Sequence, residues 1–248
     1  FHDVATVKAC FDLPCVNPIP GSPFSIPIDY TVSDSGTSSA GESFKAQVLD
    51  VQATDLAWDA SRSRFHVLLP NDPTLNYETY VATLDPATGQ LGPKVSWGAS
   101  ATRLSLSDDD QFLYARINDL AQVRRMKLPD LALDLTIPMP RDSNDAVLYA
   151  ADVQVAPASP HTIAVALSGA PGGGIPNGGV AIFDDAVMRA GRAVVDYGAR
   201  TGPLVDYLQW GADASVLYGT SEQTLPDLFT LAVDAGGVSS VTDTPGTG

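Results

Sequence analysis

The stretch Arg103–Ile117 reads RLSLSDDDQFLYARI. Apolar residues alternate as far as Leu106, the polar run Ser107 to Asp110 interrupts them, and a second apolar run carries Leu113 and Tyr114. Alternation on both sides of a short polar break is the pattern of an antiparallel hairpin with one buried face. Working outward, the pattern recurs without gaps in its first half. The copies are DLAWDASRSRFHVLL from Asp55, DVQVAPASPHTIAVAL from Asp152 and YLQWGADASVLYGTS from Tyr207. The four starts are separated by 48, 49 and 55 residues. Each first strand ends on a bulky apolar residue, in turn Trp58, Leu106, Val155 and Trp210. Polar turns follow at Asp59 to Ser63, Ser107 to Asp110, Ala156 to Pro160 and Gly211 to Ala214. The return strands carry Phe65-His66, Leu113-Tyr114, Thr162-Ile163 and Leu217-Tyr218.

The second half of each copy supplies two more strands. They are Tyr77 to Leu84 and Leu91 to Trp97, AQVRRMKL and Leu133 to Pro138, GGVAIFDD and Ala193 to Tyr197, then DLFTLAVD and Val238 to Val241. In the first copy the turn Asp85-Pro86-Ala87-Thr88-Gly89 has a mechanism: Pro86 presets φ and Gly89 accepts a positive φ. Helical signals are scarce. A repeat of roughly 40 to 50 residues built from four short strands is the period of a propeller blade. The expected fold is all-β: a β-propeller with four visible four-stranded blades at about 55–100, 103–140, 152–198 and 207–243. The ring is expected to be longer than four blades and cut at Gly248, a ring of four being the alternative.

The turn in LDPATGQL, followed about 20 residues later by LSLSDDDQFLYARI, resembles the bacterial seven-bladed propellers of the lactonase-like, YVTN-repeat type. Those repeats place Ser-Asp-Asp-Gly or Ser-Pro-Asp-Gly between two strands. Here Asp110 stands where the Gly is usual, and the third copy carries APASPH. The resemblance covers about residues 55–242. It implies the fold and leaves activity open, since sites are grafted onto such folds independently.

Residues 4–32 look like the closing strands of a bacterial immunoglobulin-like domain, so segment 1–33 is read as a remnant of one. Two or three strands cannot make a sandwich alone. Segment 34–54 is read as a linker, Ser/Gly-rich over Ser33 to Ser43, with Phe44 to Val51 as a candidate strand closing the ring. Segment 55–248 is the propeller. Phe1-His2-Asp3-Val4 lacks the charged and apolar regions of a signal peptide and an initiator Met, so the chain reads as a mature or excised piece of something longer. Cys10 and Cys15 fit neither a CxxC redox motif nor a zinc set. A local disulfide is expected, which implies an extracytoplasmic location, secreted, cell-surface or periplasmic; two free buried thiols are the alternative.

A formal net charge of -15 repels phosphate backbones and anionic lipid, which argues against nucleic acid and membrane insertion as modes of action. No apolar stretch approaches the roughly 20 residues a bilayer requires. With 44% hydrophobic and 17% charged residues, the chain has the means to build a core.

No G-x-S-x-G elbow occurs, and no Ser or Cys is marked as a nucleophile; no catalytic residue is expected. Gly172 to Gly179 lacks the Gly-Lys-Ser/Thr ending of a phosphate loop and reads as a loop between blade strands. The three histidines, His2, His66 and His161, are expected to serve packing or surface. Trp58 and Trp210 share one repeat position, which argues for core between blades over a sugar platform. Calcium is the expected ligand if there is one, at Asp108, Asp109 and Asp110 or at Asp142 and Asp145, because hard cations collect carboxylate oxygens. No other cofactor is expected.

The leading expectation is a non-catalytic extracellular binding or structural module of a larger secreted or cell-surface protein, with a protein or glycan partner. The alternatives are a lactonase-like propeller hydrolase and a subunit of an extracellular assembly joined by strand addition. Thiol titration of the unreduced chain is expected to detect no free thiol; two reactive thiols would remove the Cys10–Cys15 bridge.

Overall fold

The computed structural model describes residues 2–7, 24–29, 49, 51–70, 78–171, 178–194, 205–220 and 228–244. The expected Cys10–Cys15 bridge, the linker, most of the Phe44–Val51 strand and the glycine run 172–177 lie outside them. The chain divides into a smaller unit containing Phe1–Leu49 and a larger one, Asp50–Thr244. In the smaller unit, β1 (His2–Val7) pairs antiparallel with β2 (Phe24–Asp29), in register from His2 opposite Asp29 to Val7 opposite Phe24.

The larger unit is four antiparallel blades of four strands each, the last two joined at their outer strands into one eight-stranded sheet. Blade 1 holds β3 (Asp55–Asp59), β4 (Arg64–Leu69), β5 (Tyr80–Leu84) and β6 (Val95–Ser96). Blade 2 holds β7 (Ala101–Leu106), β8 (Phe112–Ile117), β9 (Gln122–Lys127) and β10 (Ala132–Pro138). Blade 3 holds β11 (Tyr149–Ala156), β12 (Ser159–Ser168), β13 (Gly179–Asp184) and β14 (Val187–Ala193). Blade 4 holds β15 (Tyr207–Trp210), β16 (Val216–Thr220), β17 (Leu228–Asp234) and β18 (Gly237–Thr244). No helix among the described residues is long and apolar enough to cross a membrane.

The repeat register holds in every blade: Trp58 opposes Phe65, Leu106 opposes Leu113, Val155 opposes Ile163 and Trp210 opposes Leu217. The turns share a device. In blades 1 to 3 a left-handed residue closes the first turn (Ser63, Asp110 and Ala158, each with φ between 50° and 53°). Asp110 thus fills a position where glycine is the usual solution, and a short polar side chain tolerates that geometry comparatively well.

One strand departs from expectation. The fourth strand of blade 3 is Val187–Ala193, not Ala193 to Tyr197. Asp185, at φ 51°, allows a two-residue turn that pairs Asp184 directly with Val187. The strand lies at the outer side of the blade and buries only Ala193, so VMRAGRA shows no alternation to read.

Three apolar clusters fill the spaces between successive blades. Leu68, Val81 and Trp97 of the first repeat meet Leu104, Leu113 and Ile117 of blade 2. Tyr114 and Ile137 meet Val153, Ile163 and Phe183, while Ala164, Ala166 and Ile182 meet Leu208, Trp210 and Phe229. The first strands of neighbouring blades contact each other, so β3, β7, β11 and β15 form the inner edge. At the outer edge blades 3 and 4 meet at a parallel bridge, Gly191 with Gly237, beside which Arg189 donates to the Asp234 carbonyl at 2.7 Å. A Cβ on Gly237 would lie 2.2 Å from Gly191 O, so the approach requires glycine.

Polar clasps on the inner edge set the stacking. Asp55 Oδ2 accepts the Leu104 N–H at 2.7 Å, and Asp152 Oδ2 accepts the Leu208 N–H at 2.8 Å. Asp55 and Asp152 occupy the same repeat position, and so do Leu104 and Leu208. Between blades 2 and 3 the hydroxyl of Ser105 does this work, accepting the Val155 N–H at 2.9 Å. Burial raises the Asp152 pKa, although the Leu208 N–H opposes that rise. Removing the acceptor strands a buried donor, a loss of about 1–3 kcal/mol. Asp152→Ala is therefore expected to lower the urea unfolding free energy by about that much, and Asp119→Ala, at an exposed turn, by less than about 0.5 kcal/mol.

Candidate functional site

The carboxylates singled out for calcium spread apart. Asp110 Oδ2 accepts the Ser61 N–H of blade 1 at 2.9 Å, and Asp108 Oδ2 accepts the Ala158 N–H of blade 3 at 2.9 Å. Asp109 Oδ1 stays within its own turn, accepting the Ser107 hydroxyl at 2.7 Å and the Gln111 N–H at 3.1 Å. The three consecutive aspartates thus join blade 2 to both neighbours and close its turn. Asp142 Oδ1 accepts the Asn144 and Ala146 N–H groups, both at 2.8 Å, while Asp145 sits 3.7 Å from Arg141. Among the described residues no three His, Cys, Asp or Glu side chains converge as a metal ligand set.

Two histidines expected to serve packing or surface stand in charged clusters near the turn end of the blades. His66 is buried between blades 1 and 2, with Nε2 3.1 Å from Asp59 Oδ2. An ionised carboxylate only accepts, so the ring proton sits on Nε2 and Nδ1 is left without a partner. Burial lowers the His66 pKa and outweighs the pull of Asp59 in the other direction. Burial by itself would raise the Asp59 pKa, but hydrogen bonds from Arg62, His66 and Ser61 hold it below the usual value. The second cluster centres on Arg125, which is buried. Its guanidinium donates to Asp134 at 2.6 Å, to Asp185 at 2.5 Å and to the Tyr114 hydroxyl at 3.1 Å. It lies 4.5 Å from the Phe112 ring centre, and His161 Nδ1 is 3.0 Å away. Burial opposes the charge on Arg125, yet these partners raise its pKa further.

The inner edge holds the feature that sequence reasoning missed. The first repeat position is Asp55, Arg103, Asp152 and Tyr207. Where blades 1 and 3 carry a clasping carboxylate, blade 2 carries Arg103. A β-bulge between Thr102 and Leu104 leaves Arg103 without a cross-strand partner, and its φ is 57°. Bulges re-aim side chains, and here the guanidinium carbon lies 4.9 Å from the ring centre of Tyr207, two blades away. Its charge also favours ionisation of Asp152. A half-buried cation in an otherwise acidic protein, backed by an aromatic face, suits recognition of an anionic group. The legible signal was the single basic residue in an otherwise acidic, apolar or aromatic repeat column.

The tryptophans divide. Trp97 and Trp210 are buried, as the core reading requires of Trp210, but Trp58 is exposed. The same repeat position has a preceding blade in one case and none among the described residues in the other.

No family model matches the chain, and neither does any curated protein. Among solved structures, hydrazine synthase of Kuenenia stuttgartiensis aligns with a TM-score of 0.55 at 13% identity, over 85% of this chain and 53% of that one. The dihydro-heme d1 dehydrogenase NirN, in complex with DHE, aligns at 0.55 and 16% identity, over 77% and 37%. The β-propeller domain of Myceliophteria thermophila Cps50 (Swd1) aligns at 0.56 and 11% identity, over 80% and 57%. At such identities the likeness shows the fold, a β-propeller, of which this chain spans about half or less of each matched length.

The His66 pair has a pH signature. Its folded pKa lies below the unfolded value, so on acidification the unfolded chain binds the proton first, and stability falls below about pH 6.5. His66→Gln is expected to flatten the decline in unfolding free energy between pH 7.5 and 5.5. An unchanged slope would show that His66 takes up its proton equally in the folded and the unfolded chain.

Proposed function

We propose that the chain is a non-catalytic binding or structural module of a larger secreted or cell-surface protein. The reading takes its repeats as YVTN-type and β1–β2 as the closing strands of an immunoglobulin-like domain. The observation that carries it is the use made of polar side chains. Asp55, Ser105, Asp108, Asp110 and Asp152 each accept a backbone N–H from a neighbouring blade. His66 is sealed from solvent, and Arg125 is held by Asp134, Asp185 and the Tyr114 hydroxyl. Groups so committed make a rigid scaffold, which is what a module presenting loops to a protein or glycan partner requires.

On this reading Arg103, stacked on Tyr207 at the inner edge, supplies the fixed positive charge for an anionic group of the partner. The lactonase-like alternative would need the same inner edge to hold reacting groups. A panel of sugar and homoserine lactones separates the two. Hydrolysis by the chain is expected to stay below a kcat/KM of about 10 M⁻¹s⁻¹, against about 10⁴ M⁻¹s⁻¹ or more for working enzymes. Turnover in the enzyme range that is lost in Arg103→Gln would overturn the non-catalytic reading.

A further inference from the structure

At two of the three junctions between blades, an arginine near the turn end finds its acceptors within the protein. In blade 2, Arg125 lies over the Phe112 ring and joins Asp134 of its own blade to Asp185 of blade 3. In blade 3, Arg189 donates to both oxygens of Asp184, each at 2.9 Å, and to the Asp234 carbonyl of blade 4 at 2.7 Å. Blade 1 places different side chains here. Arg64 stands where blade 2 has Phe112, each preceding the residue that opposes the end of the first strand. Thr83 stands where blade 2 has Arg125, since Thr83 opposes His66 and Arg125 opposes Tyr114. The arginine has thus changed strands, and no carboxylate has followed it. Arg64 is half-buried, yet it makes no hydrogen bond or ion pair with any described residue.

What remains beside Arg64 and Thr83 is an open cavity of about 390 Å³. It lies on the side of blade 1 that faces blade 2. Arg64 and Thr83 share that side with buried His66, because side chains two apart, or directly opposite across a strand pair, point the same way. Arg62, in the cavity wall, donates to the Asp110 carbonyl of blade 2 at 2.7 Å. The volume falls within the roughly 300–1,000 Å³ of small-ligand pockets. Its lining is mainly polar, with Leu91 the one large apolar side chain. The Thr83 hydroxyl and the Gln90 amide, both in the lining, bond to no described residue. Gly92 leaves that hydroxyl its room, since a Cβ there would lie 2.4 Å from Thr83 Oγ1.

We propose that this cavity binds a hexuronate, a sugar acid whose carboxylate pairs with Arg64 and whose hydroxyls meet Thr83 and Gln90. A guanidinium keeps its charge at any physiological pH and presents a fork of N–H groups that matches a carboxylate. At the other junctions the protein supplies that carboxylate, and here the ligand does. One negative charge on the ligand suits the cavity better than two, because Asp85 lies in the same wall. The Ala87 N–H first, then the Thr88 hydroxyl and, more weakly, the charge of Arg64 hold the Asp85 carboxyl below its usual pKa. It is therefore ionised at neutral pH, where it repels a dianion such as phosphate and accepts a sugar hydroxyl. The site shares no residue with the Arg103 edge, so it stands whether or not the function proposed above holds.

The test is a titration of the 248-residue chain with D-glucuronate, followed by proton–nitrogen correlation spectra. Salt at about 0.15 M screens the net charge of -15. A saturable Kd of about 1 mM is expected, with the amide signals of Ser63, Thr83 and Gly92 moving. Glucose, which lacks the carboxylate, and inorganic phosphate are each expected to bind about tenfold more weakly or worse. Arg64→Gln is expected to weaken glucuronate about tenfold or more, with an unchanged unfolding midpoint, because Arg64 bonds to nothing in the fold. Arg64→Lys, which keeps the charge and loses the fork, is expected to fall between the two. Arg103→Gln is expected to leave the affinity unchanged. No saturable shift up to about 20 mM glucuronate would overturn the proposal. So would full affinity in Arg64→Gln, a loss confined to Arg103→Gln, or glucose or phosphate binding as tightly as glucuronate.

Discussion

The packing of one blade's face on the next is the constraint from which the rest follows. A four-stranded sheet whose strands are apolar on both sides cannot be left with either face in water. Leu113 and Tyr114 are adjacent on β8 and point to opposite faces, yet both are fully buried, one against blade 1 and the other against blade 3. The blade is stable only as a middle layer. Stacking such layers edge to edge around an axis is the arrangement that covers both faces of each.

Apolar contact alone would let the layers slide, and the hydrogen bonds from blade to blade remove that freedom. Each joins a side-chain acceptor to a backbone N–H at a fixed place in the neighbour's first strand or first turn. The polar chemistry of the chain is thereby drawn into architecture. Aspartates that look like cation ligands when read in sequence, such as Asp108 and Asp110, reach to opposite neighbours. The exception is Arg103, where the repeat replaces an acceptor by a cation and the clasp passes to Ser105. A position released from structural duty is where function has room to act.

Much of the fold was legible because its determinants are local. The alternation in RLSLSDDDQFLYARI and its three counterparts reports the hairpin directly, and the pairing register of all four agrees. Legibility failed where the local pattern has no buried face to report. Val187–Ala193 is an outer strand whose side chains meet solvent, so its place was decided by the left-handed turn at Asp185. Trp58 and Trp210 are indistinguishable in the repeat, and only the presence or absence of a preceding blade separates them.

By itself the sequence determined the blades: their number within this chain and the hairpin that opens each of them, because these depend on residues within a few tens of positions. The tertiary structure alone decided which carboxylates become clasps, why His66 is kept neutral and where Arg103 is aimed. The clasps join groups 48 to 56 residues apart at about 3 Å, Arg103 meets a ring two blades away at 4.9 Å, and His66 owes its state to burial. Spacing along a chain carries no record of such meetings. They follow from the stacking of layers, which the strand pattern requires without saying which residue will face which.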